Sequence, residues 1–194
     1  MYKASQIHAA MISALCQFVE DHPRLFVLTG AGCSTDSGIP DYRDRCGEWK
    51  RRQPVYYREF TTSAAARRRY WARSMLGWPR IWNAAPNAAH FTLAHWQQKG
   101  WIEKLVTQNV DGLHQRAGSH DAIDLHGRLD AVLCMDCGQR CDRNSYQREL
   151  EHRNDTSQWS GATAPDGDID LTWPSPTHTL PPGDDAEDTD GWPP

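Results

Sequence analysis

Long apolar runs, abundant cysteine and internal repeats are all missing from this chain of 194 residues. No run approaches the ~18–20 apolar residues of a membrane span, so we expect no membrane residence. The six cysteines are too few for a disulfide framework in a chain of this length, and no charged-then-apolar leader precedes the first predicted helix. These features favour the reducing cytoplasm and leave length for one domain, since domains most often have about 100–150 residues.

Basic residues are missing from the last part of the chain. Residues 155–194 contain eight Asp and one Glu but neither Lys nor Arg, which leaves +5 for residues 1–154 against a whole-chain charge of −4. The same stretch holds seven of the twelve prolines and few apolar residues. Because so little apolar surface cannot offset the entropy of ordering a backbone, we predict that 155–194 is a disordered acidic tail.

The remaining part, 1–154, alternates helix and strand patterns, which predicts an α/β fold with a parallel sheet. Apolar spacing and breaker residues predict helices over 5–20, 61–76, 87–98, 111–117 and 143–152, and strands over 25–28, 104–107 and 122–125. The unbroken apolar run Leu25–Leu28 indicates a strand buried on both faces. The breaker residues Gly77-Trp-Pro79 are expected to end the helix predicted over 61–76. Three parallel strands are fewer than the six of a full dinucleotide fold.

A glycine turn follows the first predicted strand. Gly30-Ala-Gly32 permits a tight turn and lets backbone N–H groups approach a pyrophosphate, with the N-terminus of the next helix adding favourable potential. The spacing departs from the strict dinucleotide fingerprint, because the third glycine arrives only at Gly38. Taken alone, the motif fits a simple turn as well as a nucleotide site.

Four blocks occur together and in order: Gly30–Ser34, Gly38–Arg43, Thr107–His114 and His126-Gly127. This arrangement resembles the sirtuins, and the resemblance covers about residues 5–152. It implies an NAD-dependent protein deacylase with a Rossmann-like large domain and a small zinc-ribbon domain. The implied domain 1–154 would be a partial catalytic domain, an incomplete Rossmann-like sheet with a helical insertion over about 44–100 and half a zinc ribbon over about 129–152.

The resemblance also implies where NAD and an acyl-lysine protein substrate would bind. The positions it assigns to the cofactor are Gly30, Ala31, Gly32, Ser34, Ile39, Asp41, Tyr42, Arg43, Gln108, Asn109 and Asp111. Of these, Ala31, Gly32 and Ser34 would lie along the phosphates, Ile39 and Asp41 at the nicotinamide carboxamide, and Arg43 on a mobile cofactor loop. Asn109 and Asp111 would also be catalytic, because short polar groups there meet the positive charge that develops at the glycosidic bond.

His126 is implied as the general base. In the implied mechanism the acyl carbonyl oxygen attacks the ribose carbon as nicotinamide leaves, and His126 then helps a ribose hydroxyl attack the acyl carbon, so that the acyl group ends on ADP-ribose. An imidazole suits this role because it exchanges protons near neutral pH. The alternative is a histidine at a strand end that bonds to backbone, and His114 is predicted to be structural.

Cys134 and Cys137 have the spacing of half a tetrahedral zinc site. Cys141 is a candidate third sulfur, but the second cysteine pair of a full site is missing, so the predicted zinc site is incomplete. A redox role for the pair is the alternative.

Tyr70 and Arg73 fall three residues apart on one helical face. The pair resembles the Tyr-x-x-Arg of sirtuins that remove acidic acyl groups, where it binds the acyl carboxylate. The neighbouring Arg67-Arg-Arg69 favours the alternative of an ordinary solvated basic face.

Several sirtuin elements are missing after Cys137: the second cysteine pair, a Gly-Glu strand and loop, and a Gly-Thr-Ser segment. The resemblance therefore implies a truncated and inactive or impaired deacylase. The rival interpretation is a non-catalytic remnant that binds a nucleotide or a partner weakly. A nucleic-acid role would rest on one cysteine pair and a modest positive charge, and we expect neither nucleic-acid nor membrane binding.

Overall fold

A three-stranded parallel sheet organises the protein, seen here in a computed structural model that describes residues 2–43, 46–48, 50, 55–154, 160–163 and 169–172, with side chains from Ala9 to Asn154. The helices are Tyr2–Asp21 (α1), Tyr57–Thr62 (α2), Ala64–Asn83 (α3), Ala88–Gln98 (α4), Leu113–Arg116 (α5) and Arg143–Arg153 (α6), with a 3-10 helix at Ala31–Ser37. The strands are Leu25–Thr29 (β1), Ile102–Thr107 (β2), Ile123–Asp124 (β3), Ala131–Leu133 (β4), Arg140–Asp142 (β5), Ser160–Thr163 (β6) and Ile169–Thr172 (β7). The order β1-β2-β3 confirms the predicted α/β fold with a parallel sheet.

The first strand differs from its prediction. Leu25 is buried, but Phe26 and Leu28 are 67% and 55% exposed. Because side chains alternate along a strand, Phe26 and Leu28 lie on one face and Leu25 and Val27 on the other. Among the described residues only the second face is packed, so the prediction of a strand buried on both faces is wrong.

The packed face of the sheet forms one of two apolar cores. Leu25, Ile102 and Leu105 are its buried centre. Leu93 and Trp96 of α4 cover them, and Val19, Val27 and Ala122 complete the cluster. Helix α4 begins where the sequence predicts, because Asn87 Oδ1 accepts the backbone N–H groups of Ala89 at 2.9 Å and His90 at 3.4 Å.

Helix α3 passes through Pro79, although the sequence predicts an end at residues 77–79. A proline lacks the N–H that would bond to the carbonyl four residues earlier, which is that of Met75. Gln147 Nε2 of α6 donates to this carbonyl at 2.7 Å and replaces the missing bond. Arg143 Nη2 donates to the adjacent Ser74 carbonyl at 3.2 Å. The prediction of a break fails because a distant helix satisfies the backbone.

The second core lies beside α3. Trp78, Ile81 and Ala84 pack with Ile39 and Leu113, and Leu129 lies against them. This cluster joins α3 to α5 and to the segment that follows the 3-10 helix. It therefore sets the position of the loop that carries several predicted site residues.

Two antiparallel hairpins follow the sheet. Strands β4 and β5 pair around the predicted half ribbon, and β6 and β7 pair within the segment for which the sequence predicts disorder. At β6 and β7 the backbone forms two short antiparallel strands beside α3, and the predicted disorder of the rest of the tail stays a prediction. Residues 155–159, 164–168 and 173–194 lie outside the described residues.

The predicted amphipathic helix over 5–20 is present as α1, but most of its described apolar side chains are not packed. Val19 joins the sheet core, whereas Met11, Leu15 and Phe18 are each at least half exposed. Throughout the described segments, no helix combines the length and the apolar character required to cross a bilayer.

Candidate active site

Three predicted site residues meet in one polar cluster at the carboxyl ends of β1 and β2. Ser34 Oγ donates to Asp111 Oδ2 at 2.7 Å and accepts from Asn109 Nδ2 at 3.0 Å. Ser34 is fully buried, and Asn109 is nearly so. Asp111 Oδ1 accepts the backbone N–H of Leu113 at 2.9 Å, which also fixes the start of α5. A carboxylate, an amide and a hydroxyl are thus held in fixed geometry where ligands of parallel α/β sheets bind.

A second row of hydrogen bonds holds this cluster from behind. Thr29 and Thr107 are register partners in β1 and β2, and Thr29 Oγ1 donates to Thr107 Oγ1 at 2.9 Å. Thr107 Oγ1 accepts the backbone N–H of Asn109 at 3.0 Å. Thr29 Oγ1 also lies 2.8 Å from Nε2 of the buried His114. The chain of bonds connects both strand ends to Asn109, and the structural role predicted for His114 stays a prediction.

Two buried imidazoles lie beside each other at the base of the site. The ring centroids of His90 and His114 are 4.8 Å apart. Burial lowers the pKa of His114 to about 4, and nearby His90 lowers it further while Asp111 opposes the shift. Burial also lowers the pKa of His90, again against Asp111. Both rings are therefore neutral at neutral pH.

The sequence does not predict that His90 and Cys33 lie at the base of the site. Cys33 Sγ lies 4.0 Å from His90 Nε2, and burial together with Asp111 raises the pKa of the thiol. Asn87 Nδ2 donates to the Cys33 carbonyl at 2.8 Å and so joins α4 to the 3-10 helix. The only available signal is that His90 stands three residues after the cap residue Asn87, a spacing that predicts a helix start rather than a site.

The glycine turn leaves room beside its backbone. Among the described residues, a Cβ atom on Gly32 would have no heavy atom within 4 Å apart from its chain neighbours, and one on Gly30 would meet Gln108 Oε1 at 3.7 Å, an ordinary contact. Gly38 ends the 3-10 helix with φ of 84°, a conformation that favours glycine. The space beside Gly32 is compatible with the predicted phosphate position.

The predicted nicotinamide loop is held by its own contacts. Ile39 is buried in the α3 core, so its side chain lies in the interior. Lys50 Nζ bonds to Asp41 Oδ1 at 2.6 Å, and this hydrogen bond lowers the pKa of the Asp41 carboxyl. Arg43 Nη1 donates to the Gly47 carbonyl at 2.6 Å, and the Tyr42 carbonyl accepts the backbone N–H of Lys50 at 2.9 Å. Their predicted roles toward a cofactor stay predictions.

His126, the predicted general base, hydrogen-bonds to the backbone, as expected of the alternative, a structural histidine at a strand end. His126 Nδ1 lies 3.0 Å from the Gln108 carbonyl, and the imidazole is exposed. A carbonyl only accepts, so Nδ1 carries the hydrogen and Nε2 is the basic nitrogen. The backbone of Gln108 in turn donates to the Thr29 carbonyl at 3.0 Å, which links His126 to the strand ends. Backbone bonding and a basic Nε2 are therefore compatible.

The predicted half zinc site lies on the β4–β5 hairpin. Cys134 N donates to the Gln139 carbonyl at 2.8 Å, which closes the loop that carries both cysteines. Hydrogen bonds from the backbone of Cys137 and Asp136, and from the Cys137 side chain, lower the pKa of the Cys134 thiol. The loop carries two cysteine sulfurs, the number that half of a tetrahedral zinc site would use. Among the described residues, Cys141 does not join them in a cluster of three close metal donors.

The predicted acyl-carboxylate pair lies in α3. Arg73 is buried, and Tyr70 packs edge-on against Phe60 and Trp71 at centroid distances of 5.1 and 5.3 Å. The alternative of a solvated basic face is wrong for most of the neighbouring arginines. Arg67 Nη1 donates to the Phe60 carbonyl at 3.0 Å and Arg69 pairs with Glu59, so both fasten α2 to α3.

Known proteins match this chain over the same region. A model of the Sir2 family matches residues 30–166. The NAD-dependent protein deacetylase of Xanthomonas campestris pv. campestris (strain 8004) is 58% identical over 161 residues, which cover 81% of this chain and 54% of that protein. NAD-dependent protein deacetylase 2 of Bradyrhizobium diazoefficiens is 54% identical over 161 residues, 81% of this chain and 58% of that protein. The chain spans about half the length of the curated relatives it matches.

Solved structures agree in fold. A Sir2 structure with the inhibitor EX-527, 2'-O-acetyl-ADP-ribose and a deacetylated p53 peptide has a TM-score of 0.60 and 33% identity, covering 72% of this chain and 55% of that one. A Sir2 complex with a p53 peptide and NAD+ has a TM-score of 0.58 and 33% identity, and the match covers 71% of this chain and 55% of that one. With the family model matched over most of the chain and the polar cluster at the predicted strand ends, this protein belongs to the Sir2 family.

Proposed function

We propose that this chain supplies the first half of the catalytic site of an NAD-dependent protein deacylase acting on acyl-lysine proteins. The observation that carries the proposal is the network Ser34–Asn109–Asp111, which joins two predicted blocks across β1 and β2. The names of the relatives support the cofactor, and the peptide complexes of the structural neighbours support the class of substrate. Because the chain spans about half of those relatives, we propose impaired activity for it alone.

The donor set at the strand ends fits a ribose and its phosphates. When bound, NAD supplies the ribose carbon that nicotinamide leaves and the hydroxyl that accepts the acyl group. Ala31, Gly32 and Ser34 would hold the phosphate side, where the backbone beside Gly32 is open. Asn109 and Asp111 would meet the ribose side, and their bonds to Ser34 fix both groups before binding, which reduces the cost of ordering them.

His126 is the proposed general base. Its Nδ1–H donates to the Gln108 carbonyl, so the ring orientation is set and Nε2 is left as the acceptor. A base must reach a ribose hydroxyl, and the exposure of the His126 ring supports the proposal that a bound ribose would be accessible to it. Gln108, directly before Asn109, thus positions the base through its carbonyl.

Cys134 and Cys137 would hold half of a structural zinc site. The two thiols lie on one closed loop, and backbone donors favour the thiolate of Cys134, as a zinc ligand requires. The described residues supply no second pair, so the ion would need further ligands from elsewhere. We assign zinc no step in the reaction.

Tyr70 and Arg73 remain a proposed selectivity pair for acidic acyl groups. The observation in favour is that both residues lie in α3 three positions apart, so they share one face of that helix. Desuccinylation and deglutarylation by an intact homologue with the change equivalent to Arg73→Ala tests this. Unchanged preference between acidic and neutral acyl groups would end the hypothesis.

A non-catalytic remnant is the second candidate. The exposed Phe26 and Leu28 on β1 favour it, because neighbouring apolar side chains on a strand face are commonly covered by protein. Such a chain would bind a partner through that face without turning over NAD.

Two measurements separate these functions. The first is NAD binding by calorimetry to the wild type, Asn109→Ala and the exposed control Asn83→Ala, each checked for folding by circular dichroism. Binding lost only in Asn109→Ala supports the proposed site. The second is nicotinamide release with an acetyl-lysine peptide. A folded chain that neither binds nor consumes NAD would refute the proposed function and leave the remnant.

A further inference from the structure

Cys33, His90 and His114 bring one thiol and two imidazoles together on the inner side of the candidate active site. One donor atom from each residue lies within 4.8 Å of the other two. In the part of the chain that the structure describes, no other group of three or more Cys, His, Asp or Glu donors is as close. The residues come from the 3-10 helix, α4 and α5, and both histidines are fully buried.

His114 has a nitrogen ready to bind an ion. Thr29 Oγ1 donates to Thr107, so it accepts from His114 Nε2, and the hydrogen of the ring is therefore on Nε2. That leaves Nδ1 as an acceptor, which is buried and has no hydrogen-bond partner among the described residues. Metal-binding histidines commonly donate their other N–H to a neighbouring oxygen in this way.

We propose that Cys33 Sγ, His90 Nε2 and His114 Nδ1 form a binding site for a Zn²⁺-class ion, separate from Cys134 and Cys137. One thiolate and two imidazoles suit Zn²⁺, and a fourth ligand would complete the tetrahedron. Tetrahedral zinc places sulfur and nitrogen ligands about 3.6 Å apart. Cys33 Sγ and His90 Nε2 are 4.0 Å apart and the three donors lie within 4.8 Å of one another, so binding would require the donors to approach by about 0.4–1.2 Å.

The protons can be accounted for. Binding releases the thiol proton of Cys33 to solvent and moves the ring hydrogen of His90 from Nε2 to Nδ1. The second change breaks the bond from the Asn87 backbone N–H to His90 Nδ1, which is long at 3.3 Å. The two bonds from Asn87 Oδ1 to the start of α4 remain. An ion would then join three elements that otherwise meet only through hydrogen bonds and packing.

A single-thiol protein tests this site. The other cysteines, Cys16, Cys46, Cys134, Cys137 and Cys141, are all exposed and can be changed together to serine. Titration of this untagged variant with Co²⁺, which replaces Zn²⁺ spectroscopically, is followed in the near ultraviolet, where thiolate-to-cobalt charge transfer absorbs. We expect one ion per chain and a charge-transfer band, displaced by Zn²⁺. Any such band must arise from Cys33.

Three further variants in the single-thiol background decide the ligands. Cys33→Ser should abolish the band, and His90→Gln and His114→Gln should each weaken Co²⁺ binding at least about tenfold. Exposed His120→Gln is the matched control and should bind as the parent does. Circular dichroism checks that each variant folds. A folded single-thiol protein without the band, or with binding unaffected by both histidine changes, overturns the proposal. None of these readouts depends on NAD.

Discussion

Acid should destabilise this protein through His114 well above the pH at which carboxylates are protonated. The folded state holds the ring neutral, because burial lowers the pKa of His114 to about 4. In the unfolded chain the same ring has a pKa of about 6.5. The unfolded state therefore binds a proton first as pH falls. The stability that the neutral ring contributes is complete above about pH 6.5 and is lost between there and about pH 4.

The size of the effect follows from these two pKa values. Linkage gives a loss of about 2 kcal/mol between roughly pH 7.5 and roughly pH 5, and on the order of 3 kcal/mol by roughly pH 4. The lowered pKa of His90 acts in the same direction. Against a typical domain stability of about 5–15 kcal/mol, such a loss is easily measured. Asp111 opposes the shift, since its charge favours a protonated ring.

Urea unfolding at several pH values, with a chelator present, measures the effect. His114→Gln can still donate to Thr29 Oγ1 but does not titrate, so its unfolding free energy should fall by about 2 kcal/mol less than that of the wild type between roughly pH 7.5 and roughly pH 5. Exposed His120→Gln should retain the dependence of the wild type. Equal losses in the wild type and His114→Gln would refute the reasoning.

Three other changes have definite expectations. Gln147→Leu leaves the Met75 carbonyl without its donor and should lower the unfolding free energy by about 1–3 kcal/mol. Pro79→Ala restores a backbone N–H for that carbonyl, so Gln147→Leu should cost less in the Pro79→Ala background. An equal cost in both backgrounds would contradict this explanation. Asn87→Ala removes the α4 cap and should cost about 1–2 kcal/mol by thermal unfolding, with an unchanged transition counting against the cap. Phe26→Lys, on the exposed face of β1, should change stability by less than about 0.5 kcal/mol in urea and reduce light scattering; a large destabilisation would show that the face is packed.

Much of the site was predictable because its residues follow strands in a parallel sheet. Carboxyl ends of parallel strands meet at one edge, so blocks after β1 and β2 must come close together, and Ser34, Asn109 and Asp111 do. The alternation of patterns also predicted the sheet and the beginning of α4 at Asn87. These outcomes depend on local patterns whose physical cause lies within a few residues.

The sequence predictions that were wrong concern features set by contacts between distant segments. The sequence alone determined the family, the parallel sheet and the cluster at the strand ends. Only the tertiary structure decided that α3 continues through Pro79, because Gln147 lies 68 positions away and replaces the missing hydrogen bond. It also decided that one face of β1 is exposed and that Cys33, His90 and His114 meet. Such contacts join segments far apart in the chain, and local propensity carries no information about which distant group will satisfy or cover a residue.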